Sequence, residues 1–403
     1  MASPHVLIIG AGITGLVLAQ ALRKHGVPFS IFERDSDPLY RGKGWGLTIH
    51  WSLDAFLQLL PEDLIDRLPE TYVDPEAVAK GENGNFLLFD LRTGEMKWKV
   101  PPAKRLRVSR ERLRRLLMNG IDIQWNKSIS GISQLSDTAV RCEFTDGSSA
   151  EGTLLVGCDG SRSKTRSLLC SLAANETPAR CENHSLPIRL LGVSTPLPPR
   201  VALKMKALDP LFLQASDPAT NNFFWFSFLD TPVNNDREDR DTYECQILIS
   251  WLCRKGASNM EIPTDNVDKI KLMHLLADGW VEPFREVVQS IPEGTEPKVL
   301  SLEDWPTPPK GSWTNLGGMA TLVGDAAHAM TMFIKPSPHS PEKTQQEVIN
   351  EYEEEMITRA RPAVLRSRKA CLDAHDFPSI TADSPLVARR GAFEDDDLEY
   401  LID

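Results

Sequence analysis

The sequence predicts an α/β fold in which a β-rich stretch interrupts a parallel-sheet domain. Three observations predict it. From His5 to Phe32 an apolar run, a glycine-rich turn, a helical pattern and a second apolar run follow one another. Two later apolar runs end in Cys158-Asp159-Gly160 and Val323-Gly324-Asp325, each a strand running into a turn. Between about Thr177 and Pro297 the texture shifts to prolines and strand-like runs such as NNFFWFSFL and YECQILISWLC.

The first unit reads as strand, helix, strand. His5 to Ile9 is apolar up to Gly10, Leu16, Val17, Leu18, Ala21 and Leu22 repeat at helical spacing, and Phe29 to Phe32 ends at Glu33. This is one βαβ unit with a right-handed crossover. Its turn, Gly10-x-Gly12-x-x-Gly15, is the pattern by which a backbone holds a pyrophosphate. Gly10 permits the tight turn, Gly12 lets the backbone approach the phosphates, and Gly15 lets helix and strand pack closely. Donors and positive potential at the helix N-terminus suit an anion. Glu33, near the expected spacing of about 20 residues, would accept from ribose hydroxyls. The motif predicts a dinucleotide without separating FAD from NAD.

Next comes RVSRERLRRLL, from Arg107 to Leu117, with leucines at 106, 113, 116 and 117. It predicts a helix with a basic opposite face and Ser109 as a candidate cap. Alternating segments follow, with a hairpin turn at Asp146-Gly147 and a buried strand at Leu154 to Val156. Met319 to Val323 is another strand, entering a helix that Asp325 could cap. Glu351 to Cys371 predicts a long helix interrupted near Pro362, and the acidic end GAFEDDDLEYLID a frayed tail. The expected divisions are 1–176 and 298–375 for the two parts of the nucleotide domain, 177–297 for the β-rich domain and 376–403 for the tail.

The chain of 403 residues is 41% apolar and 25% charged, an ordinary globular balance. Its net charge of −11 argues against a nucleic-acid partner and for a small-molecule one. Seven cysteines without a C-x-x-C pair indicate neither a zinc site nor a complete disulfide framework. The first residues lack the basic region of a signal peptide and no apolar run spans a bilayer, so the expected location is the cytoplasm.

Gly10-x-Gly12-x-x-Gly15, the Asp159-Gly160 stretch through Arg166, and Gly324-Asp325-Ala326-Ala327-His328 together resemble the GxGxxG, DGxxSxxR and GDAAH signatures of group A FAD-dependent monooxygenases. These are the para-hydroxybenzoate and salicylate hydroxylase-like enzymes, here of the fungal secondary-metabolite type. The resemblance covers nearly the whole chain. It implies a Rossmann-like FAD-binding domain with an inserted β-rich substrate domain, FAD as cofactor, NADH or NADPH as cosubstrate, and insertion of one oxygen atom from O2 into a small aromatic or polyketide- or terpenoid-like molecule.

Carried over by residue, it places Gly10, Gly12, Gly15, Glu33 and Arg34 at the adenosine and pyrophosphate. Asp159, Gly160 and Arg166 fall in a motif serving FAD and the nicotinamide, Gly324 and Asp325 at the ribityl chain, and Arg110 at the flavin, a solvated basic face being its alternative. Gly44 and Gly46, in RGKGWGLTIHW, would let the backbone pass close beside the isoalloxazine. Phe223, Phe224, Trp225, Phe226 and Phe228 are a candidate wall of the substrate pocket or ordinary core. No catalytic side chain is assigned.

After His328 the chain departs from the family. It reads AMTMFIKPSPHSPEKTQQEVINEYEEEM, without the glycine loop and apolar helix that would cover the isoalloxazine. Ser340-Pro341-Glu342 is a candidate start for a substitute helix. The alternative function is therefore a flavin-fold protein that binds nucleotide with impaired or no turnover.

Overall fold

The computed structural model describes residues 3–40, 44–50, 52–101, 104–173, 181–234, 241–253, 260–330, 344–388 and 401. A five-stranded parallel sheet runs in the spatial order Ala320–Leu322, Leu154–Gly157, Val6–Ile9, Phe29–Phe32, Ile123–Gln124. Separate clusters of buried side chains pack against it, which is why these strands read as unbroken apolar runs. The three strands that precede Gly10, Asp159 and Gly324 are immediate neighbours, so those turns leave the same carboxyl edge side by side. Ligands of open α/β sheets bind at such an edge.

A seven-stranded sheet stands beside it, in the order Lys298–Asp304, His184–Leu197, Tyr243–Leu252, Phe223–Asp230, Phe212–Ser216, Phe86–Asp90, Met96–Val100. Two of its strands precede residue 177 and one follows residue 297. All its pairs are antiparallel except Phe212–Ser216 with Phe86–Asp90. The Asp146-Gly147 turn closes the hairpin of Ala139–Phe144 and Ser149–Gly152, with Gly147 at φ 83°.

Between the large sheets, Gly46–Ile49 pairs antiparallel with Leu106–Ser109. Residues 107 to 109 are thus strand, and the predicted helix begins only at Arg110, with Ser109 capping it by accepting from the Arg112 amide at 3.3 Å. Cross-strand pairing with Leu47 and Thr48 outweighs the helical leucine spacing there.

The C-terminal helix is Gln345–Asp373, longer than expected and unbroken at Pro362. Pro362 removes one amide donor, but Met356 and Ala360 before it and Val364 and Leu365 after it are buried, so packing holds both halves on one axis. Thr344 and Glu347 form its capping box; Ser340-Pro341-Glu342 lies outside the described residues. Within the expected 376–403 tail, Ile380, Leu386 and Val387 are buried against Leu88, Ala370 and Ala374, while GAFEDDDLEYLID, save residue 401, lies outside the described residues. None of the seven cysteines forms a disulfide. Among the described residues no helix is long and apolar enough to cross a membrane, and no side-chain cluster could hold a metal ion.

Candidate functional site

The three adjacent turns enclose a cleft of about 330 Å³. On one side is the glycine loop. Gly10 has φ 105°, and a Cβ there would stand 2.6 Å from the Cys158 carbonyl oxygen; one on Gly15 would stand 2.0 Å from the Gly10 oxygen. Gly12 differs, since a Cβ on it would meet nothing within 4 Å. It is the N-cap of Ile13–Lys24, a helix with no side-chain cap and no acidic residue in its first turn. Free amide donors therefore face the cleft. The buried Glu33 carboxylate accepts from the amides of Ala11 at 2.8 Å and Asp35 at 3.1 Å, fixing the loop.

Arg34 and Arg110 line the same cleft. Arg114 joins them, although the sequence reading leaves it on a solvated face. It is buried, donates to the Ala11 carbonyl at 3.0 Å and the Pro38 carbonyl at 2.9 Å, and lies 5.5 Å from the Trp125 ring centre. The signal was present, because residues four apart share one helix face. Lys127 and Lys164 add further positive charge.

Across the cleft, the Asp159 carboxylate accepts from the Ser163 hydroxyl at 2.5 Å and the Thr165 amide at 3.0 Å. Beside Gly160, at φ 85°, the space is open. Gly324, at φ 65°, packs on Thr14 and is the N-cap of the short helix Asp325–His328. Asp325 is thus the first helical residue rather than the cap. Its side chain faces the cleft yet is surrounded by protein elsewhere. That burial raises its pKa, while Arg110 and Arg166 act in the opposite direction.

Arg166 takes a different place from the one expected. It is absent from the cleft wall and is 2% exposed, its guanidinium donating to the carbonyls of Cys181, Ala326 and Ser161 and to Asn183 Oδ1. It lies 4.4 Å from the Trp305 ring centre. It clamps the Asp159 and Asp325 turns together from behind.

A second cavity, about 340 Å³, is lined by Trp45, Gly46, Phe223, Trp225, Leu248 and Leu300 among others. Gly46 belongs here rather than to the first cleft, and a Cβ on it would stand 2.2 Å from Arg107 Nη2. Its missing side chain makes room for that guanidinium. The aromatic run divides by strand alternation. Phe223 and Trp225 face the cavity, whereas Phe224, Phe226 and Phe228 turn into the core, where Phe224 meets Trp280 and Phe284.

The cavity also holds polar groups that sequence patterning does not distinguish from core: Arg107, Gln214, Gln246, Ser250 and His375. His375 Nδ1 lies 2.7 Å from the Cys371 carbonyl and Nε2 lies 2.8 Å from Ser250 Oγ. A carbonyl only accepts, so Nδ1 carries the proton and Nε2 accepts from the serine. Burial pushes this imidazole down to about 4. An unfolded histidine titrates near 6.5, so acid favours the unfolded chain. The His375 contribution is complete above about pH 6.5 and is lost towards pH 4, about 3 kcal/mol in all. Urea midpoints between pH 7 and 5 are expected to fall more steeply in wild type than in His375→Gln. Parallel profiles would contradict this.

Residues 41–43, 51 and 331–343, the last of them part of the departure after His328, lie outside the described residues.

Comparison with known proteins gives a consistent result. The family described as FAD binding domain matches residues 4–264. The chain is 80% identical to a protein of Arthroderma benhamiae named "Probable FAD-dependent monooxygenase", over 99% of this chain and 98% of that one. It is 39% identical to the FAD-dependent monooxygenase dbaB of Emericella nidulans, over 81% of each. Among solved structures it is similar to a salicylate hydroxylase substrate complex, with TM-score 0.62 and 18% identity over 100% of this chain and 93% of that one. It is also similar to Klebsiella pneumoniae HpxO complexed with FAD and uric acid, with TM-score 0.67 and 17% identity over 94% and 91%. At those identities the structural likeness concerns the fold.

Proposed function

This chain belongs to the group A FAD-dependent monooxygenases of fungal type, and from that premise we propose that it inserts one oxygen atom from O2 into a small aromatic substrate of secondary metabolism, using NADH or NADPH. One observation carries the reading. The two cavities flank the strand Gly46–Ile49, where Leu47 lines the cleft and the preceding Gly46 lines the second cavity. A flavin lying in the cleft is thereby brought against a separate, largely apolar chamber.

The cleft fits the cofactor by its open space at Gly12 and Gly160, its uncapped helix and its arginines. In this reading the Gly10 to Gly15 loop and its helix donors hold the pyrophosphate, Glu33 and Arg34 the adenosine end, and Asp325 the ribityl hydroxyls, with Arg110 reaching towards the ring. Bound FAD supplies two-electron transfer from the nicotinamide and the activation of dioxygen. The protein orients the substrate and excludes water. Phe223, Trp225, Leu248 and Leu300 form the dry wall of the chamber, and Ser250 with neutral His375 holds a proton at a defined place within it. The expected location is the cytoplasm.

The test is direct. Purified protein is expected to carry one flavin per chain and to oxidise NADH or NADPH faster when a suitable aromatic compound is added. A protein that neither retains flavin nor takes it up on reconstitution sinks the proposal.

A further inference from the structure

The second cavity has a largely apolar wall interrupted by polar groups, and beside Gly46 it contains a buried positive charge. Arg107 is 5% exposed. Its guanidinium donates from Nη1 to Thr48 Oγ1 at 3.1 Å, from Nη2 to Ser227 Oγ at 2.7 Å and from Nε to the Phe228 carbonyl at 3.5 Å. All three partners are neutral, and two of its five N–H donors remain for something else. Among the described residues no carboxylate pairs with it. Burial, with no compensating charge, pushes its pKa down to about 10, so it is still charged at neutral pH. A buried cation without a counter-ion is costly. The fold nevertheless clears space for this one with a glycine at position 46.

A second, independent observation points the same way. Gln214 lies on the same wall, 2% exposed, and its Nε2 has no hydrogen-bond partner among the described residues. Arg107 and Gln214 together offer unused donors and a positive charge to whatever fills the cavity.

The strands set the length of the chamber. Ser227 is opposite Gln246 in the sheet register, and Phe223 is opposite Ser250. Arg107 donates to Ser227, which donates to Gln246 at 3.1 Å; Ser250 meets His375 at the other end. Four residues of strand, about 13 Å, separate the cationic end from the histidine end. Trp225 and Leu248 lie between them. Such a slot accommodates more than one ring.

We propose that Arg107 is the receptor for an anionic oxygen of the substrate, and that the protein acts on flat, fused-ring aromatic compounds bearing an ionised hydroxyl or carboxyl group. The inference rests on reading the second cavity as the substrate site.

The test compares charged and neutral ligands of matched shape on the flavin-loaded protein, by equilibrium dialysis and tryptophan fluorescence. Naphthalene-2-carboxylate is set against naphthalene-2-carboxamide, and 4-nitro-1-naphtholate against its methyl ether. Wild type is expected to bind an anion about tenfold to a hundredfold more tightly than its neutral partner, the range for a charge-assisted hydrogen bond. Preference within the carboxyl pair identifies a carboxylate ligand, and preference within the naphthol pair an ionised hydroxyl. Arg107→Gln is expected to remove the preference while leaving flavin content unchanged. Should that variant not fold, Arg107→Lys, which keeps a charge but loses the planar fork, is expected to reduce the preference severalfold. Equal binding of charged and neutral members by wild type, or a preference unaltered by either substitution, overturns the proposal. Flavin content is measured separately, so failure of the cofactor reading is distinct from failure of this one.

Discussion

Gly12→Ala is expected to fold like wild type and lose flavin, whereas Gly15→Ala is expected to lose the fold around the site. The two glycines share a motif, but their surroundings differ. A Cβ on Gly15 would stand 2.0 Å from the Gly10 carbonyl oxygen, a backbone atom in a turn that is itself pressed against Cys158. No rotamer relieves that contact, so helix and strand must separate, at a cost of about 3 kcal/mol or more. At Gly12 the backbone is at φ −75°, which any residue adopts, and the added methyl meets no protein atom. It enters the space in which, on the function proposed above, the pyrophosphate would approach the helix donors. Loss of one charge-assisted hydrogen bond weakens flavin affinity about tenfold to a hundredfold or more. Urea midpoints and flavin titrations of both variants decide the matter. A wild-type midpoint for Gly15→Ala, or wild-type flavin affinity for Gly12→Ala, contradicts the account.

The second large effect is expected far from the glycine loop. Arg368 and Asp304 form a buried bidentate pair, at 2.9 and 2.5 Å, with side-chain exposures of 2% and 0%. Arg368 also donates to the Leu401 carbonyl. The pair joins the C-terminal helix to the edge strand Lys298–Asp304, and both contribute walls of the second cavity, including Leu300, Leu302, Ala370 and Cys371. Arg368→Met leaves a carboxylate buried without its partner and is expected to cost about 3–5 kcal/mol. The double variant Asp304→Leu/Arg368→Met removes both charges and is expected to recover most of that loss. A double-mutant cycle on urea midpoints measures the coupling. If the single variant were as stable as wild type, or the double variant no better than the single, the pair would not have the role assigned to it.

The glycine-loop wall of the cleft was legible in sequence because its constraints are local. Gly10, Gly12, Gly15 and Glu33 lie in one βαβ unit, where the turn itself requires glycine and the next strand delivers the acid. Arg114 was missed because its polar contacts are with Ala11 and Pro38, more than 70 residues away, although its spacing from Arg110 pointed to it. Arg166 was misplaced for a related reason. Its motif marks a turn, but tertiary contacts with Cys181, Ala326, Asn183 and Trp305 determine which way its guanidinium points.

By itself, then, the sequence determined that this is an α/β dinucleotide-binding chain with three turns of flavin-enzyme type, because strand, helix and glycine patterns record local backbone demands. Only the tertiary structure decided that those three turns share one carboxyl edge, that Arg107 belongs to a strand, and that alternate aromatics of a single run face the core and the cavity. It also decided that Gly46 makes space for a guanidinium. Such assignments depend on which residues of distant strands become neighbours, and strand pairing over separations of 57 to 165 residues leaves no periodic trace in the chain.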